Sequence, residues 1–191
     1  ILSKEEPFDY FLCTGDVFIK TPIQEINIIN KWKNKGYSIY GNHDWYLEIF
    51  PRLTLIQEIA GLNIVGLSGM FKSNKLNQVD PRYWNIRELL HLSHLKNIDI
   101  FISHQPFYQL GILDKFKKDI GIPILTDILS YTQPSIFCCG HDHRYKFKFF
   151  GNTVAISLPL ITKGYVSLFY NDKILTNLEI TLKNKKREIK I

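Results

Sequence analysis

Four short polar segments, each directly after an apolar run, constrain the fold of this chain more than any other feature. In chain order they are Gly15-Asp16, Gly41-Asn42-His43-Asp44, Ser103-His104 and Gly140-His141-Asp142-His143. Short apolar runs bounded by turn residues are typical of buried strands, so each segment is predicted to follow the carboxyl end of a strand. Because α/β sheets form their sites along that edge, we expect the four segments to meet there.

The residue types in these segments suit a site for two divalent cations. An ionised Asp16 can bridge two cations and reduce their repulsion, whereas imidazole and amide ligands complete the shells without adding charge. Two cations about 3.5–4 Å apart can clamp a phosphate and hold a hydroxide as nucleophile, which suits phosphoester hydrolysis. His43 directly follows Asn42, so its ring is predicted to lie near the metals and protonate the leaving oxygen while Asp44 orients it.

Taken one at a time, these residues have simpler interpretations. Asp16 after a glycine could be a turn residue, and Asn42 could form an Asx-turn. His104 could be a hydrogen-bonded loop histidine, and His141 and His143 could belong to a surface loop. The order of all four segments, each after an apolar run, favours the metal site.

The segment order GD, GNHD, H and GHxH resembles that of the calcineurin-like metallophosphoesterases, over roughly residues 9–170. The resemblance implies a role for each candidate residue. The implied roles are the bridging ligand, Asp16; the ligands of the second metal, Asn42, His104 and His141; a ligand of the first metal, His143; and the catalytic pair, His43 with Asp44.

One element of that family does not occur in this sequence. The family's first strand ends in Asp-x-His, which supplies two ligands to the first metal, and the nearest candidate here, Asp9-Tyr10-Phe11, has the wrong third residue. We expect the chain to begin after the family's first strand and helix. The alternative is a natural departure that leaves one metal poorly held. In either case the second metal is expected to bind better than the first.

Strand and helix patterns alternate up to Gly140, and hairpin patterns follow it. The patterns predict helices from Thr21 to Gly36 and from Tyr83 to Leu95, and strands over Leu53–Ile56 and Asn63–Leu67. We therefore predict an α/β fold in which two β-sheets pack face to face as a sandwich flanked by helices, without the family's first strand. One domain is expected over residues 1–182, followed by a basic tail over residues 183–191.

Composition narrows the class of protein and its compartment. With 191 residues and 45% apolar content the chain can bury a full core, and no stretch approaches the ~20 apolar residues of a membrane span. The first residues do not form a signal peptide, and the 3 cysteines are expected to be reduced core thiols, so the cytoplasm is the expected location. The net charge of +6 favours anionic partners, although a solvated basic tail explains it more simply.

The predicted activity is that of a phosphodiesterase with two divalent metal ions, in which a metal-bridging hydroxide attacks and His43 assists the leaving group. Mn²⁺ is the first choice of metal, and Fe, Zn and Ni are also compatible. The substrate is a phosphoester, with nucleotides and nucleic acid both open; Lys72 and Lys75 would favour nucleic acid if they line the site. Two short segments, residues 7–16 and 65–72, resemble the RNA lariat-debranching branch of the family. The alternative function is a non-catalytic scaffold that binds proteins, as a retromer subunit of this family does.

Overall fold

A six-stranded mixed sheet lies at the centre of the protein in the computed structural model. The structure describes residues 8–16, 34–44, 51–53, 56–72, 82–84, 86–160, 163–182 and 185–190. The strands within these ranges are β1 (Phe11–Cys13), β2 (Gly36–Ser38), β3 (Gln57–Ile59), β4 (Leu62–Leu67), β5 (Met70–Phe71), β6 (Tyr83–Trp84), β7 (Ile100–Ser103), β8 (Ile136–Cys139), β9 (Lys146–Phe150), β10 (Thr153–Ser157), β11 (Gly164–Asn171), β12 (Ile174–Leu182) and β13 (Lys185–Lys190). The helices there are α1 (Ile86–Leu92) and α2 (Pro123–Thr132).

The central sheet has the strand order β3-β4-β7-β8-β10-β9. Its inner strands β4, β7, β8 and β10 run parallel, and the antiparallel strands β3 and β9 form the edges. β7, β8 and β10 are buried at every residue, which explains their continuous apolar runs because both faces of the sheet are covered. Ser103 is in register with Cys139, so the loops after β7 and β8 leave the same edge of the sheet.

Alternating side chains of the central sheet build two separate cores. On one face, Phe101 packs with helix residues such as Leu129. On the other face, Ile102 packs in a cluster with Leu178 and Ile180 of β12. The structure therefore confirms the predicted α/β class: the described helices cover one face of the central sheet, and the β11-β12-β13 sheet contributes to the cover of the other.

β1 and β2 form a separate parallel pair, which packs against the second core through Tyr37. The Ile39 N–H donates to the Cys13 carbonyl over 3.1 Å, so the pairing continues one residue past the end of β2. The Gly69 N–H donates to the Tyr40 carbonyl over 2.6 Å. Since Gly69 follows β4 closely, this bond ties the loop after β2 to the edge of the central sheet.

The strand expected over Leu53–Ile56 is not found at Leu53 or Ile56, and residues 54 and 55 between them lie outside the described residues. The observed strand begins at Gln57 and forms β3, which pairs antiparallel with β4. The two strands are joined by a tight turn in which Ala60 and Gly61 both have positive φ. The turn therefore fixes the register of the hairpin and moves the strand towards it. The strand expected over Asn63–Leu67 is confirmed as β4.

The helix predicted from Tyr83 to Leu95 is shorter than expected, because α1 begins at Ile86 and ends at Leu92. Tyr83–Trp84 forms β6, which pairs parallel with β5. The buried Trp84 indole N–H donates to the Gly69 carbonyl over 3.1 Å, so long-range pairing overrides the helical spacing here. The helix predicted from Thr21 to Gly36 lies outside the described residues at all but its last three positions. Neither α1 nor α2 is long and apolar enough to cross a membrane.

The basic segment near the end of the sequence forms a strand where the structure describes it. Lys185–Lys190 is β13, which pairs antiparallel with β12 over its whole length. Ile189 packs against the second core, whereas Lys186 and Arg187 are exposed. These residues therefore form a strand with exposed basic side chains, because Ile189 packs against the core and the backbone pairs with the edge of β12. The division of the chain into a domain and a tail at residue 182 stays a prediction.

Candidate metal centre

Two glycines allow the loops after β1 and β2 to approach each other closely. Gly15 has a φ of +90°, and a Cβ at this position would lie 2.4 Å from the backbone nitrogen of Gly41. A Cβ at Gly41 would lie 2.0 Å from Oδ1 of Asp16. Asp44 closes this contact, because its Oδ2 accepts the N–H of Asp16 over 2.8 Å and that of Gly41 over 2.7 Å. The glycines and the second aspartate are thus needed to pack the two loops together.

The loops after β7 and β8 lie beside the loops after β1 and β2. The His104 N–H donates to the Leu67 carbonyl, and the Gly140 N–H donates to the His104 carbonyl, so three strand ends are tied together. A Cβ at Gly140 would lie 2.7 Å from Oγ1 of Thr14, so this glycine leaves room for the end of β1. The four polar segments therefore meet at one edge of the fold, as the strand pattern led us to expect.

Oxygen and nitrogen atoms from these segments converge on one point. His104 Nε2 lies 3.0 Å from Oδ1 of Asn42 and 3.3 Å from Oδ2 of Asp16. His141 Nδ1 lies 3.2 Å from Oδ1 of Asn42 and 3.2 Å from Nε2 of His104. His143 is more peripheral, with its Nε2 3.8 Å from Oδ2 of Asp16. Three ligand atoms lie within 4.8 Å of one another, one each from Asp16, His104 and His141. At this spacing they could hold a metal ion.

The backbone selects the tautomer of the fully buried His104. Its Nδ1 lies 2.9 Å from the carbonyl oxygen of Thr14, which can only accept a hydrogen bond, so Nδ1 carries the proton. In the neutral ring Nε2 then has a free lone pair, and this lone pair faces oxygens of Asn42 and Asp16. A backbone carbonyl that fixes the far side of the ring in this way is common around metal-binding histidines.

Asp16 carries a buried oxygen that makes no hydrogen bond. Its Oδ1 accepts the backbone N–H of His43 over 3.0 Å, whereas Oδ2 has no hydrogen-bond partner among the described residues. Burial by itself would raise the pKa of this carboxyl, but the positive charge that His104 carries when it is protonated, together with His43, outweighs burial and lowers the pKa, so Asp16 is ionised. A buried anionic oxygen without a partner costs free energy. A cation beside Oδ2 would remove that cost.

The two histidines after β8 are held in the neutral form. Burial, followed by the proximity of His104, lowers the pKa of His141 to about 4. Burial also lowers the pKa of His143. A ring must be neutral to offer a nitrogen lone pair to a metal, so both shifts prepare these side chains for coordination near neutral pH.

Three of the candidate ligands have left-handed backbone conformations. The φ angles are 58° at Asp16, 63° at His141 and 57° at His143. Such a conformation costs on the order of 1–3 kcal/mol for a residue other than glycine, and it persists only where the surrounding structure imposes it. Strained residues of this kind cluster at functional sites, which supports a functional role for this edge.

His43 and Asp44, the predicted catalytic pair, lie in different environments. The His43 side chain is exposed beside the ligand cluster, with its backbone held by Asp16. Asp44 is buried, with 6% of its surface exposed, and its Oδ2 is occupied by backbone N–H groups. Asp44 therefore has a role in holding the loops that the sequence analysis missed, while its predicted role in orienting the His43 ring stays a prediction.

Two further residues support the cluster, and neither is among the candidates named from the sequence. Thr14 acts through its main-chain carbonyl, for which no side-chain pattern gives a signal. Gln105 is buried, and its Oε1 accepts the Phe71 N–H over 2.6 Å, which fixes β5 beside the His104 loop. Its position directly after His104 was the only hint in the sequence. Tautomer selection and the attachment of β5 beside the His104 loop are thus supplied by residues outside the four motifs.

Comparison with known proteins agrees with this geometry. A family profile described as calcineurin-like phosphoesterase matches residues 1–145. No curated protein matches the sequence.

Several solved structures share the fold. The protein TT1561 of Thermus thermophilus is 10% identical, with a TM-score of 0.56 over 95% of this chain and 86% of that one. Vps29 from Entamoeba histolytica, solved with Zn²⁺, is 13% identical, with a TM-score of 0.51 over 94% of this chain and 79% of that one. A protein assigned as a 5′-nucleotidase from Staphylococcus aureus is 14% identical, with a TM-score of 0.50 over 95% of this chain and 45% of that one. These likenesses show a shared fold, and the match to the family profile shows that this chain belongs to the calcineurin-like phosphoesterase family.

Proposed function

We propose that this protein is a metal-dependent phosphoesterase that hydrolyses phosphodiesters. The observation that carries the proposal is the buried Oδ2 of Asp16, which makes no hydrogen bond within the described residues and faces ring nitrogens of His104 and His143. A carboxylate, an amide oxygen and neutral imidazoles form a donor set that suits divalent metals. A purely structural polar cluster would instead pair its buried atoms with hydrogen-bond donors.

The residues present fit one divalent ion well and a second in part. Asp16, Asn42, His104 and His141 would hold the second metal, and Asp16 with His143 would hold the first. Mn²⁺ is the ion we place first, and Fe, Zn and Ni are compatible because these ligand types do not separate them. When bound, the ions supply positive charge to the phosphoryl oxygens and lower the pKa of a water that can attack phosphorus.

The protein's own side chains would orient the centre and move a proton. Asp16 is clamped between two loops, so its free oxygen has a fixed direction. His141 and His143 add no negative charge, and the centre therefore stays attractive to a phosphate anion. His43 is exposed at its rim, where it would protonate the leaving oxygen, and such a general acid typically contributes about 10²–10⁴-fold to the rate.

The substrate is proposed to be a nucleotide or nucleic acid phosphoester, and the location the cytoplasm. The net charge of +6 supports an anionic substrate. Cys13, Cys138 and Cys139 are all free thiols, which supports a reducing compartment.

The alternative is a scaffold that keeps the fold and binds other proteins. The resemblance assigns only two ligands of this sequence to the first metal, Asp16 and His143, and this incomplete ligand set favours the alternative. The exposed His43 beside the cluster argues against it, because a protein-binding surface has no use for a proton donor at that position.

A hydrolysis assay separates the two functions. We expect Mn²⁺-dependent turnover of bis(4-nitrophenyl) phosphate that falls about 10²–10⁴-fold in His43→Ala while metal content is unchanged. His94→Ala is the matched control, because His94 is also an exposed histidine but lies beyond the end of α1. Turnover that needs no metal, or that is retained in His43→Ala, would contradict the mechanism. No turnover with any divalent ion would favour the scaffold.

A further inference from the structure

A basic hairpin (residues 113–119) is attached to the loop that carries two of the candidate ligands. Asp142, between His141 and His143 in the sequence, forms an ion pair with Arg144. The same guanidinium donates through its second nitrogen to the Leu113 carbonyl over 2.6 Å. One hydrogen bond therefore ties the start of the hairpin to the loop that carries His141 and His143.

Asp114 holds the hairpin in a single conformation. Its Oδ1 accepts the N–H of Phe116 over 2.8 Å and that of Lys118 over 2.9 Å. Its own N–H donates to the Lys118 carbonyl over 2.8 Å, and Leu113 pairs with Asp119 in an antiparallel bridge. Asp119 in turn accepts the N–H groups of Gln109 and Gly121. The tip is thus preorganised, which lowers the entropy cost of binding a ligand there.

The hairpin presents one aromatic ring among positive charges. Phe116 is 70% exposed, and the Lys115 ammonium lies 5.0 Å from its ring centroid. Lys117 and Lys118 are exposed as well, and within the described part of the chain neither forms an ion pair. The two carboxylates of the hairpin, Asp114 and Asp119, accept backbone N–H groups, and no ion pair within the described residues joins either of them to the lysines.

We propose that the basic hairpin binds a single strand of nucleic acid whose phosphodiester lies in the metal centre. A base would stack on Phe116, and Lys117 and Lys118 would contact the flanking phosphates. Stacking on an exposed aromatic ring beside lysines is a sequence-tolerant way to bind single strands. The proposal rests on the proposed function, because it names the substrate class for that activity.

The hairpin is short from its root to its tip. Phe116 lies three residues after Leu113, so its Cα is at most about 11 Å from that of Leu113. A strand bound along the hairpin would therefore contact both its root and its tip. Charge complementarity favours the strand over an apolar ligand, because the ring is the hairpin's single aromatic group and lysines surround it.

Binding to fluorescein-labelled twelve-nucleotide strands of thymidine and of uridine, in EDTA to prevent hydrolysis, tests the proposal. We expect Phe116→Ala to weaken binding about 5- to 150-fold, the loss typical of one stacked base. Tyr131→Ala is the matched control, because Tyr131 is 69% exposed but lies on α2 at the opposite edge of the sheet. It should change binding less than twofold. Loss with Phe116→Ala on either strand supports the proposal, and the tighter of the two strands indicates the preferred sugar.

An abasic strand of equal length and charge separates stacking from charge. The wild-type protein should bind it as weakly as Phe116→Ala binds the thymidine strand, and Phe116→Ala should cause no further loss. Each of Lys117→Gln and Lys118→Gln should reduce the slope of log K against log salt by about 0.7, whereas Lys96→Gln should not. Equal binding of abasic and thymidine strands, no binding of either natural strand, or equal effects of Phe116→Ala and Tyr131→Ala would overturn the proposal. Because these measurements use no turnover, failure of the diester assay would reject the phosphodiesterase while leaving the binding result interpretable.

Discussion

Replacement of Gly41 by alanine tests the packing of the metal centre at its tightest point. The new Cβ would lie 2.0 Å from Oδ1 and 2.5 Å from the backbone nitrogen of Asp16, and real Cβ contacts are not shorter than 3.0 Å. The carboxylate therefore has to move by about 1 Å, whereas metal ligands tolerate only about 0.2 Å. We expect Mn²⁺ affinity to fall by at least about 100-fold, the upper end of the loss seen when a supporting residue is removed.

The same substitution should destabilise the metal-free protein only moderately. Overpacking costs about 1–3 kcal/mol, and alanine offsets about 0.4–1 kcal/mol of this by restricting the unfolded chain. Calorimetric titration with Mn²⁺ measures the affinity, and urea unfolding in EDTA measures the free energy of unfolding. The large loss of affinity beside a small loss of stability is the signature of a displaced ligand.

Gly151→Ala is the matched control for this experiment. Gly151 has a φ of +57°, and a Cβ added there would meet no atom within 4 Å, so alanine should cost about 1–2 kcal/mol through backbone strain alone. Its stability loss should thus be similar, but its Mn²⁺ affinity should equal that of the wild type. Wild-type affinity in Gly41→Ala, or an equal loss of affinity in Gly151→Ala, would refute the reasoning.

Three further predictions follow from single groups. Asp16→Asn removes the charge that would bridge two ions, so metal analysis should find both sites depleted, and retention of two ions per chain would contradict the bridge. The pKa of His141 is lowered from 6.5 to about 4, so below pH 6.5 the unfolded chain takes up a proton that the folded one does not. The metal-free protein should therefore lose stability, on the order of 1 kcal/mol per pH unit, as pH falls from about 6.5 to 4; His141→Asn should show a shallower loss in urea unfolding. Burial raises the pKa of Cys138 to about 12 and also raises that of Cys139, so mass spectrometry should find both unmodified by iodoacetamide at pH 7.5 until the protein is unfolded.

The placement of the candidate site could be predicted from sequence because each ligand follows a strand within four residues. β7 and β8 are continuous buried runs, and His104 and His141 follow them within two residues. In a parallel sheet that local pattern is enough to bring the loops to one edge. The chemistry of the cluster could be expected for the same reason, since it depends on residue types that the sequence states directly.

The errors concern elements whose conformation depends on distant partners. Tyr83–Trp84 has helical spacing with the residues after it, yet it pairs with Met70–Phe71, and only the folded chain reveals that pairing. Lys185–Lys190 has the composition of a tail but completes a sheet through β12. Secondary-structure preference is a weak prior in both segments, and tertiary contacts decide them.

The internal support of the site could not be predicted because it uses the backbone. The Thr14 carbonyl that selects the His104 tautomer leaves no trace in the sequence. Its position after His43 predicts a catalytic role for Asp44. In the structure, its Oδ2 accepts the N–H groups of Asp16 and Gly41. A carboxylate in such a motif can hold two loops together, and the backbone groups that it contacts are seen only in the folded chain.

The most direct test of the account is to locate metal in crystals of the protein grown with Mn²⁺. Anomalous scattering should show an ion about 2.0–2.3 Å from ligand atoms of Asp16, Asn42, His104 and His141. A weaker second peak beside His143 and the free oxygen of Asp16 would agree with the partial second ligand set. Absence of any peak between these side chains, in a protein that is folded and exposed to excess metal, would contradict the metal centre and the activity proposed from it.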